Sequence, residues 1–221
     1  MGEAVKRRVA ILISGRGSNM AALIEAARPR DFPAEIVVVI SNRADAGGLD
    51  RARASGIPTV TIESKPFGKD RAAFEAVLQT ALDQHRVELI CLGGFMRLFT
   101  AEFVQRWFGR MLNIHPSLLP SFPGLEPQAQ ALRAGVKISG ATVHFVIPET
   151  DAGPILMQGA VAVADADTPD TLAERILGIE HRIYPEALRL LASGQVRLEG
   201  DVCKTLAKAN PDNTLISPAT E

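Results

Sequence analysis

Apolar residues along the chain fall into two alternating patterns. Short, mostly apolar runs occupy residues 8–14 (RVAILIS), 35–40 (EIVVVI), 87–92 (VELICL) and 111–114 (MLNI), with a weaker one at 58–62 (PTVTI). Between them, in residues 20–27, 50–55, 71–85 and 101–107, the pattern is helical. Phe74, Val77, Leu78 and Leu82 mark one face of the third helix. An unbroken apolar run belongs to a strand covered on both faces, and strands alternating with helices build a parallel sheet. The first half therefore predicts an α/β fold, with a doubly wound, mainly parallel sheet of Rossmann-like type.

The rhythm changes after His115. Residues 129–134 form a short helical stretch that Gly135 ends. Residues 141–147 and 155–163 are strand-like and are joined by PETDAGP, which predicts a hairpin and an antiparallel C-terminal part of the sheet. Residues 168–191 read as one long helix, with a bend expected near Gly178 or Pro185 and an end at Ser193-Gly194. The chain is expected to form a single domain over residues 1–199. A polar, flexible tail is expected over residues 200–221.

Composition narrows the function classes. Hydrophobic residues make up 47% of the 221, enough for a packed core, and 24 basic side chains face 25 acidic ones. Such a balance gives no electrostatic case for nucleic acid or an anionic membrane surface. The two cysteines, Cys91 and Cys203, do not form a zinc-type cluster with histidine. The basic and then apolar N-terminus runs straight into GRGSN, a turn rather than a cleavage site. No run approaches the ~20 apolar residues of a membrane span. These features lead us to expect a soluble cytoplasmic domain of enzyme size, with no metal site.

Three stretches carry candidate chemistry. SGRGSN, residues 14–19, follows a buried strand and opens a helix. Its backbone N–H groups suit a phosphate, and the alternative is an ordinary turn with Ser18 or Asn19 as the cap. LGGFMRLF, residues 92–99, ends a strand at the sheet edge where open α/β folds bind ligands. It forms either a ligand wall or a loop that seals the core. In MLNIHPSLLP, Asn113 and His115 lie two apart on a strand and so share a side. Together they suit an oxyanion, or serve as a polar strand end. Asp151, in the hairpin loop, either orients His115 or makes an ordinary turn. His144 faces the same cleft or is a hydrogen-bonded strand histidine.

SGRGSN, GFMR, NIHPSLLP and VHFV…DAGPI occur in that order. In this the chain resembles, from about Arg8 to Leu198, the phosphoribosylglycinamide formyltransferases, folate-dependent enzymes of purine synthesis. The resemblance implies formyl transfer from 10-formyltetrahydrofolate, as co-substrate, to the amine of 5'-phosphoribosylglycinamide. It implies catalytic roles for Asn113, His115 and Asp151. Gly17, Ser18, Asn19 and Glu180 would bind the ribonucleotide. Arg71, Met96, Arg97, Leu98, Phe99, Asn113, Val146 and Asp151 would bind the folate. The implied partners are these small molecules, with the chain a monomer or homodimer.

The family usually has His-Thr-His where this chain has Glu126-Pro127-Gln128. Glu126 cannot be a cationic donor, so altered rate or substrate preference is expected. Methionyl-tRNA formyltransferases share NIHPSLLP but carry a C-terminal nucleic-acid-binding domain, and the related hydrolases an extra N-terminal domain. Neither is expected here. Sugar-nucleotide formyltransferases share the trio but not SGRGSN. A non-catalytic ligand-binding relative is the remaining alternative, and the intact trio argues against it.

Overall fold

The valine, isoleucine and leucine runs become central strands because both faces of the sheet are covered, and Val9 to Ile13 are wholly shielded from solvent. The computed structural model describes residues 5–206 and 217. In chain order the elements are β1 (Arg7–Ile13), α1 (Ser18–Ala26), β2 (Ala34–Ser41), α2 (Gly48–Ala54), β3 (Thr59–Thr61), α3 (Arg71–Gln84), β4 (Leu89–Leu92) and α4 (Ala101–Arg106). Then come β5 (Met111–His115), α5 (Pro127–Ala134), β6 (Ile138–Phe145), β7 (Ile155–Ala162), α6 (Pro169–Ala192), β8 (Val196–Glu199) and β9 (Val202–Thr205).

Seven strands form one sheet in the order β3-β2-β1-β4-β5-β6-β7. β3, β2, β1, β4 and β5 run parallel, while β5–β6 and β6–β7 are antiparallel. This is the expected doubly wound, mainly parallel sheet with an antiparallel C-terminal part. The strand order reverses between β1 and β4, so the loops leaving those two strands flank a topological switch point.

Alternation along the strands divides the core in two. Ile11, Ile13, Leu112, Ile114, Val143 and Phe145 pack beneath α1, α2 and α6. Ala10, Leu12, Ile90, Leu92 and Met111 pack beneath α3 and α4. On this second face the core cluster reaches Met111 on β5. Asn113 and His115 lie farther along the same face, and paired with them on β6 are His144 and Thr142. A sheet face that continues past its covering helices makes the floor of a cleft.

α6 starts in a capping box, Thr168 with Thr171, and runs without interruption past Gly178 and Pro185. Its Tyr184 is fully buried, with its hydroxyl 3.0 Å from the Leu92 carbonyl and 3.1 Å from that of Leu112. One phenol thus ties the long helix to β4 and β5.

The hairpin β8–β9 lies across the expected tail boundary. Val196, Leu198 and Cys203 pack against the first core cluster, and Gly200 supplies the left-handed turn residue. Polar residues alternating with these three kept the segment from reading as apolar. Apart from Ser217, the tail after residue 206 lies outside the described residues.

Replacing Tyr184 with Phe removes the hydroxyl but keeps the ring. The expected loss is ~1–2 kcal/mol of unfolding free energy, measured by urea denaturation, with the fold retained.

Candidate functional site

At the exit of β1 the N-cap of α1 is Gly17, in the left-handed region at φ 67°, with no side chain capping the helix. A Cβ there would stand 3.1 Å from Gly48 Cα and from the Met20 side chain, so the turn requires glycine. The alternative in which Ser18 or Asn19 caps this helix therefore does not hold. Both lie inside α1, and its leading N–H groups have no side-chain partner. Asn19 turns away to donate from Nδ2 to Glu180 Oε2 of α6 at 2.8 Å, which leaves its own Oδ1 buried and without a partner among the described residues. Glu180 is 6% exposed, and burial raises its pKa above the usual glutamate value.

Across the switch point, the loop after β4 alternates its side chains. Met96 and Leu98 project outward, 74% and 56% exposed. Phe95, Phe99 and Phe103 stack on one another inside, with centroids 5.4 and 4.8 Å apart. Arg97 lies over the Phe74 ring at 4.6 Å and donates to the Gly68 and Asp70 carbonyls, each at 3.3 Å. Of the expected folate wall, Met96 and Leu98 are therefore the side chains that face solvent, while those of Arg97 and Phe99 hold the loop from behind. Arg71 is exposed on the first turn of α3. Val146 directly follows β6, donates its N–H to the Met111 carbonyl and packs against the second cluster.

Two further groups anchor this loop, and sequence reasoning missed both. Ser14 Oγ donates to Asn42 Oδ1 at 2.6 Å and accepts from the Met96 N–H at 2.8 Å. The buried Glu75 carboxylate accepts from the backbone N–H and the hydroxyl of Thr100, the N-cap of α4. Their partners lie too far along the chain for any local pattern to signal them.

On the cleft floor Asn113 pairs across the β5–β6 ladder with His144. His144 Nδ1 lies 3.0 Å from the Phe145 carbonyl, which can only accept, so Nδ1 carries the proton. Burial lowers the His144 pKa and so favours the neutral ring, in which Nε2 carries the lone pair. Asn113 Nδ2, at 3.2 Å, therefore donates to it. This fixes the amide orientation and leaves the second N–H of Asn113 for another acceptor. Both readings of His144 are met at once, since it is a bonded strand histidine that also faces the cleft.

His115 is 6% exposed. Its Nε2 donates to the Phe122 carbonyl at 2.9 Å, and its Nδ1 stands 3.4 Å from Asp151 Oδ2. Asp151 Oδ1 lies 3.8 Å from His144 Nε2, and Oδ2 accepts from the Gly124 N–H at 2.9 Å. Asp151 has φ 54°, a left-handed conformation that aspartate tolerates better than most residues. The structure thus brings together Asn113, His115, Asp151 and His144, and places Gly17, Asn19 and Glu180 in a separate group at the α1–α6 contact.

The loop after β5 is sewn to its neighbours by Thr142. Its hydroxyl donates to the Ser117 carbonyl at 2.7 Å and accepts from the Leu119 N–H at 3.0 Å and from Gln158. Beyond it Phe122, Gly124 and Glu126 all have positive φ, at 56°, 78° and 53°. A non-glycine residue in that region costs roughly 1–2 kcal/mol. Glu126 is exposed and forms the N-cap of α5 without a side-chain capping bond, and Pro127 behind it is buried.

An amide N–H and an imidazole beside a carboxylate suit a group-transfer site, one that polarises a carbonyl and moves a proton. Comparison with known proteins gives the family. A family described as formyl transferase matches residues 7–188, and the chain belongs to that family. The phosphoribosylglycinamide formyltransferase of Escherichia coli (strain K12) is 40% identical over 190 residues, 86% of this chain and 89% of that protein. The trifunctional purine biosynthetic protein adenosine-3 of Bos taurus is 51% identical over 90% of this chain, which spans only 20% of that longer protein. The crystal structure of glycinamide ribonucleotide transformylase 1 from Symbiobacterium toebii superposes with a TM-score of 0.88 at 47% identity. It covers 91% of this chain and 95% of its own.

Two measurements test the electrostatics. Nitrogen-15 NMR of the histidines is expected to show His144 as the Nδ1–H tautomer, titrating with a midpoint below 6.5. A buried neutral imidazole stabilises the fold above pH 6.5, and that contribution is lost as pH falls through its lowered folded pKa. Glu180 has the opposite sign. Its folded pKa is raised, so between 4.5 and that value the folded state binds more protons and stability falls as pH rises. Glu180→Gln is thus expected to raise the Tm at pH 8 more than at pH 4, by calorimetry.

Proposed function

We propose that the protein transfers the formyl group of 10-formyltetrahydrofolate to the amine of 5'-phosphoribosylglycinamide, a step of purine biosynthesis. The observation that carries the proposal is the Asn113–His115–Asp151 group, gathered on the open sheet face of a chain whose relatives bear that name.

The amine attacks the formyl carbon, and the carbonyl oxygen takes up negative charge. Asn113 donates its free N–H to that oxygen. His115 donates to it from Nδ1 once that nitrogen carries a proton, because Nε2 is committed to the Phe122 carbonyl and the 3.4 Å contact with Asp151 is long for a hydrogen bond. Asp151 supplies the counter-charge and assists the proton's passage from the attacking amine to the departing nitrogen. Holding both substrates in line supplies much of the remaining acceleration.

The substrate phosphate sits on the backbone of Gly17, Ser18 and Asn19 at the uncapped start of α1. Its ribose hydroxyls donate to Asn19 Oδ1 and Glu180, the first an acceptor with no protein partner. The folate lies against Met96 and Leu98, with the loop from Val146 to Asp151 around the pterin and Arg71 towards its acidic tail. Arg97 and Phe99 contribute backbone and shape, because their side chains are engaged within the protein. Glu126 leaves the trio intact.

The test is release of tetrahydrofolate product, with glycinamide ribonucleotide, an aminosugar nucleotide or water as acceptor. Turnover is expected with glycinamide ribonucleotide alone, and His115→Ala is expected to lower kcat by ~100- to 1000-fold. Glu180→Ala is expected to act mainly on the KM of the ribonucleotide. Turnover with water alone sinks the proposal and makes the protein a hydrolase.

A further inference from the structure

We propose that Gln130, on α5 and away from the cleft floor, is a positioning residue for this reaction. It holds the loop that sets His115 and Asp151 in place. The inference rests on the roles given to those two residues above.

The loop over residues 122–125 touches both of them through its backbone. The Phe122 carbonyl takes the Nε2 proton of His115 at 2.9 Å, and the Gly124 N–H reaches Asp151 Oδ2 at 2.9 Å. Wherever this loop stands, the imidazole and the carboxylate are placed relative to one another. Its conformation is not one that the chain adopts unaided, because Phe122 and Glu126 are non-glycine residues in the left-handed region. Residues 123–126 are also exposed, so burial of their side chains does not fix them.

Gln130 supplies the missing restraint. Its Nε2 donates to the Pro123 carbonyl at 3.0 Å and to the Leu125 carbonyl at 2.9 Å, which uses both amide hydrogens. These two carbonyls bracket Gly124. The Gln130 backbone is itself fixed, since its N–H donates to the Glu126 carbonyl in the first turn of α5. The buried Pro127 and Ala131 anchor that helix, and the partly buried Phe122 ring anchors the other end of the loop. Without the Gln130 bonds, the middle of the loop is held by Asp151 itself. The carboxylate would then position the loop, where now the loop positions the carboxylate.

The residue type follows from the task. Two carbonyls ask for two hydrogens on one planar nitrogen at the end of an arm long enough to reach back over a helix start. Glutamate at this position would set a negative charge against both carbonyls, and leucine would keep the shape while removing the donors.

Gln130→Leu and Gln130→Glu, in the full chain, test this by kinetics and by nitrogen-15 NMR of His115. We expect kcat to fall ~10- to 100-fold, with the KM of the ribonucleotide nearly unchanged and more damage from Glu than from Leu. The Nε2–H tautomer of His115 is expected to lose its dominance while circular dichroism stays that of the wild type. A kcat within about twofold of wild type in both variants overturns the proposal. So does a loss of activity that matches the unfolded fraction, or a His115 spectrum unchanged in both. If the wild type itself transfers no formyl group, the proposed function fails, and the His115 spectrum still decides the positioning role. A shifted tautomer supports it and an unshifted one overturns it.

Discussion

Pairing of β5 with β6 in one register governs the cleft. It sets Asn113 opposite His144 and His115 opposite Thr142, all on the face that continues beyond the helical cover. Side chains alternate along a strand, so a one-residue slip of either strand would turn its own polar pair into the core and bring Ile114 or Val143 to the cleft. Those two residues, with Leu112 and Phe145, are packed under α6 and oppose that slip. The hydrophobic face of the pair thus determines the geometry of its polar face. Tyr184, which reaches from α6 to the carbonyls of Leu92 and Leu112, ties the same helix to the strands that carry the site.

Much of this order was legible in the sequence, for identifiable reasons. The central strands announced themselves because strands covered on both faces must be apolar throughout. Asn113 and His115 stood out because polar residues at the end of such a strand need an explanation. The hairpin β8–β9 was hidden, since Arg197, Glu199 and Lys204 alternate with its few apolar positions. Ser14, Glu75 and Thr142 were hidden for a different reason. Each is an ordinary polar residue whose importance lies in a partner tens of residues away, and a single sequence carries no mark of that partner.

The cleft also shows how unlike environments divide labour among similar groups. His115 and His144 are both buried beside Asp151, yet each has a different nitrogen committed to a backbone carbonyl. His144 is thereby left with a lone pair that orients an amide, and His115 with a nitrogen that faces a carboxylate. The backbone, through the carbonyls of Phe122 and Phe145, selects the tautomers. Glu126 stands at the border of this arrangement, exposed and left-handed, while Pro127 behind it fixes where α5 begins.

The hydroxyl of Ser14 joins three loops at one atom. It belongs to the exit of β1, donates to Asn42 after β2 and accepts from Met96 after β4. The start of α1 and the exposed pair Met96 and Leu98 are therefore held at a set separation by the scaffold. The sheet edge acts as a ruler. In the proposed reaction, a molecule that spans from the first loop to the second would be measured against a distance built into the fold, and one with a shorter or longer reach would not bring its reactive end over Asn113 and His115.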